Sequence, residues 1–158
     1  MKSEERLVER LARLGLEMPE AAEPKGLYRP VLIVDDLAYT SGHLPVTADG
    51  QLITGRVGDD LDVDGAQQAA LLAGLGILAT LKAELGSLDR VRRVVKLLGM
   101  VNCTAGFTQQ PAVINGASQL LADVFGEEKG IGARSAFGVG SLPLGVPVEI
   151  EAIFEIEH

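Results

Sequence analysis

An arginine stands at the start of a short strand-like segment near the C-terminus. Alternation along residues 133–140 places Arg134 on one face with three small residues, Ala136, Gly138 and Gly140. A strand loses packing and backbone entropy at each glycine, so two glycines beside a charged residue indicate that something other than protein fills the space. The segment therefore predicts an anion-binding pocket next to the arginine.

The last strand-like segment, residues 147–156, supplies two carboxyl groups. Its apolar residues alternate with Glu149 and Glu151, which therefore share the face opposite to the core. Both are candidates for general acid or base catalysis on a face that could adjoin Arg134. Two simpler interpretations compete, a structural salt bridge between Arg134 and Glu149 or a solvated sheet edge. Spacing alone favours these simpler interpretations, because charged pairs are more common than catalytic ones.

Metal and thiol chemistry have little support in the sequence. Cys103 is the single cysteine, and the two histidines are His43 and His158, so no set of ligands has the spacing of a zinc site. A lone cysteine among apolar residues is more often a small buried hydrophobic residue than a nucleophile. We therefore expect no metal and no cofactor.

The net charge argues against nucleic acid as a partner. The chain carries 14 basic and 22 acidic residues, a formal net charge of −8, whereas binding to a polyanion needs Lys and Arg to neutralise phosphates. In the densest basic stretch, alternation sends Arg92 and Lys96 to one face of a strand and Arg93 to the other. Aromatic residues for base stacking make up only 4% of the chain. We expect no binding to nucleic acid.

The N-terminal residues do not resemble a secretion signal. Acidic residues follow the first positions, where a signal peptide needs a basic region and then a long apolar run. No stretch reaches the roughly 18 uninterrupted apolar residues of a membrane span. We therefore expect a cytoplasmic protein that has no contact with a membrane.

The candidate groups lie within a regular succession of helices and strands. A chain of 158 residues, 47% of them hydrophobic, suits one domain with a single core. Apolar spacing and cap residues predict helices over residues 3–14, 64–85, where Asp64 and Gln67 form a capping box, and 112–125. Strand patterns cover residues 29–41 as a hairpin, 91–101, 133–140 and 147–156. Clustered strands around two inner helices predict an α+β fold, with a layer of helices against one mixed sheet.

Two motifs resemble those of a known family. Residues 134–143 (RSAFGVGSLP), followed by residues 148–152 (VEIEA), closely resemble the C-terminal signature of the RidA/YjgF family, which fixes an Arg-Ser, a Leu-Pro and a Glu-x-Glu-Ala. Residues 39–46 (YTSGHLPV) are similar to the family's Thr-Ser-Gly-x-x-Pro-Val element. Tyr28 precedes Ser41 by thirteen positions, as the family's tyrosine precedes its serine.

The resemblance runs from about Tyr28 to the C-terminus, so that only the first two dozen residues fall outside it. We therefore divide the chain into an N-terminal helical arm, residues 1–22, and a RidA-like domain, residues 23–158. The arm is expected to pack on the domain or on a neighbouring subunit.

Membership of this family implies a chorismate-mutase-like α+β fold, in which two helices lie on one face of a single mixed sheet, and a homotrimer with pockets between subunits. It implies hydrolytic deamination of reactive enamines and imines, such as 2-aminoacrylate, to 2-oxo acids and ammonia. By this resemblance, Arg134 holds the substrate carboxylate and Glu149 places the attacking water. The resemblance assigns the lining of the site to four further residues, Tyr28, Ser41, Asn115 and Ala136. The expected partners are a small carboxylate or imine and other copies of the chain.

The sequence departs from the compact members of the family around the expected pocket. Ala136 stands where a cysteine is common, His43 where a glutamine is common, and Gly138 where a larger residue is usual. These changes leave open the substrate preference and the role of His43. Two other functions also stay open, a non-catalytic trimer that binds small carboxylates and an endoribonuclease or translation inhibitor, the latter disfavoured by the net charge.

Overall fold

The strands and helices occur in the order that the sequence predicts. The computed structural model describes residues 1–158, and its strands are β1 (Val31–Val34), β2 (Leu37–Thr40), β3 (Val91–Asn102), β4 (Ala133–Val139) and β5 (Val148–Ile156). Its helices are α1 (Ser3–Leu14), α2 (Val63–Leu85), α3 (Gln110–Phe125) and the single turn α4 (Glu127–Gly130). Short 3₁₀ helices span Leu88–Arg90 and Pro143–Gly145.

All five strands belong to one mixed sheet with the order β1-β2-β5-β3-β4. Neighbouring strands are antiparallel except β3 and β4, which are parallel. The parallel pair is possible because α3 carries the chain from the end of β3 back to the level at which β4 begins. The predicted α+β class with a single mixed sheet is confirmed.

Alternation along the strands divides the sheet into two faces. In β5 every second residue is buried, beginning with Val148 and ending with Ile156, and the residues between them are only half-buried. Helices α2 and α3 pack against the buried side, which we call the helix-covered face. On the other side, the open face, large apolar side chains remain 40 to 52% exposed, namely Leu32, Val34, Tyr39 and Phe137.

Helix α2 begins two residues before the position of the predicted cap. Its N-cap is Asp62, whose Oδ1 accepts a hydrogen bond from the backbone N–H of Gly65 (2.8 Å). The prediction of a capping box formed by Asp64 and Gln67 is therefore wrong. The side chain of Gln67 instead contacts α3, where its Nε2 donates a hydrogen bond to the carbonyl of Ala112 (2.7 Å).

The apolar composition of α2 reflects its place at the centre of the core. By length and composition alone this helix could cross a membrane, but 67% of its most apolar window is buried inside the domain. The sheet contacts one side of α2 and α3 contacts another, so the helix must be apolar around most of its circumference. Gly116 of α3 permits the close approach, since a methyl group there would overlap the backbone carbonyl of Gln67.

The strand register is interrupted near the start of β3. Between Val91 and Lys96 the pairing of β3 with β5 shifts twice. As a result, Arg92 and Arg93 both reach the carboxylate of Glu155, at 3.8 and 3.3 Å. The prediction that these two arginines lie on opposite faces is wrong, because strict alternation does not hold across a β-bulge.

Helix α1 docks on the domain through both apolar and polar contacts. Leu7 is buried in the core, and Arg10 pairs with Asp123 of α3 at 3.0 Å. At the N-terminus of α1, Glu4 Oε1 accepts a hydrogen bond from the backbone N–H of Leu88 (3.0 Å). This backbone hydrogen bond lowers the pKa of Glu4 below its usual value. The arm is therefore held against α3 and the chain that precedes β3.

Replacing Glu4 with alanine should loosen this docking. We expect the free energy of unfolding to fall by about 1 kcal/mol at neutral pH, since a charge-assisted hydrogen bond to a partly exposed carboxylate is lost. Because the folded protein lowers the pKa of Glu4, the contribution is complete above the ordinary glutamate pKa and disappears as the pH falls through the lowered value.

Urea unfolding at neutral and at strongly acidic pH measures the loss of unfolding free energy and its dependence on pH. Glu9→Ala is the control, because Glu9 has only an exposed partner, Arg13, on the same helix. A loss of stability that is equal at both pH values would contradict the assignment of the effect to the Glu4 carboxylate.

Candidate functional site

Arg134 lies on the edge strand β4 and points towards α3. Its neighbours across the sheet are Leu97 and then Ala152, both buried on the helix-covered face. Its Nη1 atom donates hydrogen bonds to Asn115 Oδ1 (2.7 Å) and Ser118 Oγ (3.1 Å), both on α3. The three side chains line a cavity of about 390 Å³ between α3 and the start of β4. Two residues that the sequence assigns to the site, the arginine and the asparagine, are thus in direct contact.

Only one nitrogen of this guanidinium is engaged by the chain. Asn115 and Ser118 both bind Nη1, and neither Nε nor Nη2 donates a hydrogen bond within the chain. The N–H groups of Nε and Nη2 point in the same direction and form the fork that binds a carboxylate through two hydrogen bonds. The contacts from α3 therefore orient the guanidinium plane and leave its carboxylate-binding edge available.

Glu149 lies on the other side of the sheet. It pairs with Met100 of β3 on the open face, whereas Ile150, the next residue, is fully buried beneath the helices. The expectation that Glu149 adjoins Arg134 is wrong within one chain, because β5 and β4 present these side chains to opposite faces. A salt bridge between them within the chain is excluded for the same reason.

The carboxyl group of Glu149 is partly buried against a glycine. It packs on Gly42, where a methyl group would overlap the carboxylate. Burial raises the pKa of Glu149, and the negative charge of Glu151 raises it further. A carboxylate with a raised pKa is a stronger base than an exposed one, so this group is suited to accept a proton from a bound water.

The turn after β2 holds Ser41 and Gly42 beside this carboxylate. The backbone N–H of Ser41 donates to the carbonyl of Pro30 (2.8 Å), and its hydroxyl donates to the carbonyl of Arg29 (2.5 Å). Ser41 and Gly42 line a second cavity, of about 300 Å³, together with the half-exposed Tyr28. No residue lines both this cavity and the one beside the arginine.

The predicted site residues therefore form two groups within one chain. The arginine group consists of Arg134 and Asn115 on the helix-covered face. The glutamate group consists of Tyr28, Ser41 and Glu149 around the turn after β2. Each group carries half of the chemistry that the resemblance implies, since one can hold a carboxylate and the other can activate a water.

The space that the sequence predicts along β4 is partly filled by protein. Ala136 packs against the core. At Gly138 a methyl group would lie 2.8 Å from the sulfur of Cys103 and 3.0 Å from Gln110 Nε2. The prediction of an open pocket at Gly138 is therefore wrong, and the cavity beside the arginine is bounded by α3 instead. Cys103 itself is a buried small residue, as expected.

A buried histidine joins the glutamate group. His43 is only 5% exposed, and its ring lies between the carbonyl of Ser41 (Nδ1, 2.7 Å) and the hydroxyl of Thr80 in α2 (Nε2, 2.8 Å). Burial lowers the pKa of His43. The sequence drew attention to His43 by its place after Ser41 and Gly42, but Thr80 lies 37 positions further along the chain, and no local pattern connects the two.

No group of three or more His, Cys, Asp or Glu side chains is arranged to hold a metal ion. The chemistry that the arrangement supports is the binding of a carboxylate by a guanidinium and the transfer of protons by a desolvated carboxyl group.

Comparison with known proteins identifies the family. Residues 8–150 match the family model described as "YjgF/chorismate_mutase-like, putative endoribonuclease". The chain is 42% identical over 153 residues to Protein TCP17 of Trypanosoma cruzi, which covers 97% of this chain and 96% of that protein. Its structure is similar to that of Atu1372 from Agrobacterium tumefaciens, a protein of unknown function, with a TM-score of 0.89 and 44% identity. This match covers 98% of this chain and 96% of Atu1372. It is also similar to RidA from an Antarctic Psychrobacter, with a TM-score of 0.61 and 26% identity, over 89% of this chain and 98% of that protein.

The chain therefore belongs to the YjgF/RidA family and has its chorismate-mutase-like α+β fold. The family match begins at residue 8, inside α1. The matches to TCP17 and Atu1372 extend over nearly the whole chain, whereas the match to the Psychrobacter RidA covers 89% of it. The docked helix α1 is thus part of what this chain shares with its nearly full-length relatives.

Replacing Glu149 with glutamine should stabilise the folded protein at neutral pH. The folded state raises the pKa of Glu149, so it favours the protonated form, and ionisation of this group above that pKa reduces stability. Glutamine resembles the protonated form in shape and stays neutral. The thermal midpoint of the variant should therefore exceed that of the original protein near pH 8 and converge with it as the pH falls below the ordinary glutamate pKa.

Differential scanning calorimetry across this pH range makes the measurement, with Glu17→Gln as an exposed control that should change nothing. A variant that is less stable than the original protein at neutral pH would show that the Glu149 carboxylate is stabilised, and not strained, by its surroundings.

Proposed function

We propose that this protein hydrolyses 2-imino acids, and the enamines in equilibrium with them, to 2-oxo acids and ammonia. The observation that carries the proposal is the Glu149 carboxyl group, desolvated and packed on the Ser41–Gly42 turn, in a chain that also presents an oriented guanidinium with a free carboxylate-binding edge. Family membership supports the assignment, since a RidA protein is among the structural relatives.

The proposed site combines the arginine group of one copy with the glutamate group of another. Within one chain the two groups face away from each other, so a substrate that touches both needs a second copy. The open face supplies a surface for that contact, because it carries large exposed side chains such as Phe137, Tyr39 and Leu32 without a covering helix. A closed ring of three copies buries this face in every copy and forms three equivalent sites.

In this proposal Arg134 binds the carboxylate of the substrate. The Nε and Nη2 atoms bind its two oxygens side by side, and Asn115 keeps the guanidinium in plane. Binding the carboxylate at two points fixes the position of the imine carbon, which is the atom that must meet the water. Lysine would supply the charge without this geometry.

Glu149 moves the protons. Its carboxylate accepts a proton from the water as the water oxygen bonds to the imine carbon. The π-electron pair of the C=N bond moves onto nitrogen, and nitrogen then takes the proton from Glu149. In the resulting carbinolamine, the hydroxyl proton passes to nitrogen by way of Glu149. The C–N bond then breaks, nitrogen leaves with its electron pair as ammonia, and the carbonyl of the 2-oxo acid forms. One water is consumed for each ammonia released.

Ribonuclease activity is a less suitable function for this chain. The basic stretch at the start of β3 is neutralised by acidic neighbours, since Arg92 and Arg93 pair with Glu155. A formal net charge of −8 adds to the repulsion of a polyanion. Salt-sensitive cleavage of RNA by the pure protein would favour that function over the one proposed.

The experiment generates 2-aminoacrylate with a serine dehydratase and measures ammonia release above the spontaneous rate. We expect the protein to accelerate release, and Arg134→Ala to reduce kcat/KM by about 100-fold, the effect of losing two charge-assisted hydrogen bonds. Arg134→Lys should recover little of the activity. Arg93→Ala, another sheet arginine with an ion pair to Glu155, is the matched control.

Two results would overturn the proposal. The first is an unchanged rate of ammonia release with the original protein, and the second is full activity in Arg134→Ala. Binding of 2-oxobutyrate without turnover would indicate the non-catalytic carboxylate-binding function instead.

A further inference from the structure

The buried ring of His43 has a defined protonation state. The carbonyl of Ser41 can only accept a hydrogen bond, so Nδ1, at 2.7 Å from it, carries a hydrogen. Because burial disfavours the charged ring, Nε2 is left with a lone pair and accepts the hydroxyl hydrogen of Thr80, at 2.8 Å. The carbonyl of Ser41 therefore selects the ring with its hydrogen on Nδ1, and the hydroxyl of Thr80 donates to the remaining nitrogen.

The backbone of His43 is fixed next to Glu149. Its N–H donates to the carbonyl of Ile150 (2.7 Å), and the N–H of Ile150 donates back to the carbonyl of His43 (3.1 Å). These two hydrogen bonds tie the turn after β2 to β5 at the residue that follows Glu149. On the other side of the turn, Gly42 lies in contact with the Glu149 carboxylate.

Helix α2 provides the support for the ring. Gly76 lies one helical turn before Thr80 and faces the imidazole, whose Cδ2 is 3.6 Å from the position that a methyl group would take there, an ordinary van der Waals distance. Thr80 is itself buried in the core. The orientation of the Ser41–Gly42 turn is thus coupled, through one ring, to the largely buried helix α2.

We propose that His43 is a positioning residue of the deaminase site, and that the hydroxyl of Thr80 holds its ring in place. The chain of hydrogen bonds from Thr80 through His43 to Ser41 holds the turn against Glu149 and so fixes the carboxylate that orients the water. This inference rests on the proposed function. Neither residue touches the reacting atoms.

The experiment compares Thr80→Val with Thr80→Ser. Valine keeps the volume of threonine and removes the hydroxyl, whereas serine keeps the hydroxyl. Loss of the donor leaves a buried ring nitrogen unpaired and releases the turn, so we expect kcat to fall by about tenfold or more with a KM within about twofold of the original value. Thr80→Ser should restore kcat.

The tautomer is read directly by ¹⁵N NMR of the histidine ring. The original protein and Thr80→Ser should carry the hydrogen on Nδ1 and show a hydrogen-bonded Nε2. Thr80→Val should keep the hydrogen on Nδ1 and show the shifted ¹⁵N resonance of an Nε2 without a hydrogen bond. Thr40→Val is the matched control, because Thr40 is also buried and its hydroxyl accepts a single hydrogen bond, from the N–H of Ala152 (3.0 Å). It should lower stability while leaving the Nε2 resonance of His43 unchanged.

A second pair of variants covers the case in which Thr80→Val does not fold. His43→Gln can donate to Ser41 and accept from Thr80, whereas His43→Met fills the same space with neither ability. We expect His43→Gln to retain most of kcat and His43→Met to lose about tenfold or more. Equal kcat values in the two variants would overturn the proposal.

A hydrogen on Nε2 in the original protein, or Thr80→Val with an unchanged Nε2 resonance and an unchanged kcat, would also overturn it. Failure of the proposed function gives a different result, an original protein that is inactive on all imines. In that case ¹³C NMR of the Glu149 carboxyl group decides the structural part. We expect Thr80→Val, and not Thr80→Ser, to shift its titration midpoint, and identical midpoints would contradict the coupling.

Discussion

Arg134 and Glu149 point to opposite faces of a single sheet, and this separation decides how a complete site can be assembled. Helices cover only one face of this sheet, so the two-residue period of its strands decides whether a side chain meets α3 or the open face. Arg134 falls in the row of Leu97 and is held by α3, whereas Glu149 falls in the row of Met100. A single copy therefore separates a carboxylate-binding group from a proton-accepting group.

The same geometry relates the open face to function. A sheet that buries apolar residues on one side only leaves side chains such as Phe137 and Tyr39 exposed on the other. In the proposed trimer, the association that covers these residues also brings the two groups together, so assembly and catalysis depend on the same surface. The hydrophobic core of each copy lies on the helix-covered face and does not include these exposed residues.

Much of the fold could be predicted because its signals are local. The α1 helix ends at Gly15, which takes the left-handed conformation that glycine favours, and the hairpin turns at Asp35 and Asp36 as the sequence indicates. The alternation of buried and half-buried residues in β5 also follows directly from its sequence. Each of these features depends on residues within a few positions of one another.

The features that could not be predicted depend on contacts between distant segments. The β-bulges of β3 arise from its pairing with β5, and they bring Arg92 and Arg93 to one carboxylate. The space beside Gly138 is filled by Cys103, which directly follows the end of β3. Alternation assigns a face to Arg134 and Glu149 only relative to their own strands, so the sequence could not show that the two faces differ. Similarly, the motif after β2 drew attention to His43, but nothing in the sequence indicated its partner Thr80 on α2.

Mixing two inactive variants tests whether the arginine group and the glutamate group act together across copies. Arg134→Ala retains the glutamate group, and Glu149→Gln retains the arginine group, so a ring that contains both variants forms some sites in which each group is intact. Random association of equal amounts, after joint refolding, should recover about one quarter of the original deaminase activity, because half of the copies supply each intact group. A mixture as inactive as either variant alone would show that the two groups do not act across copies.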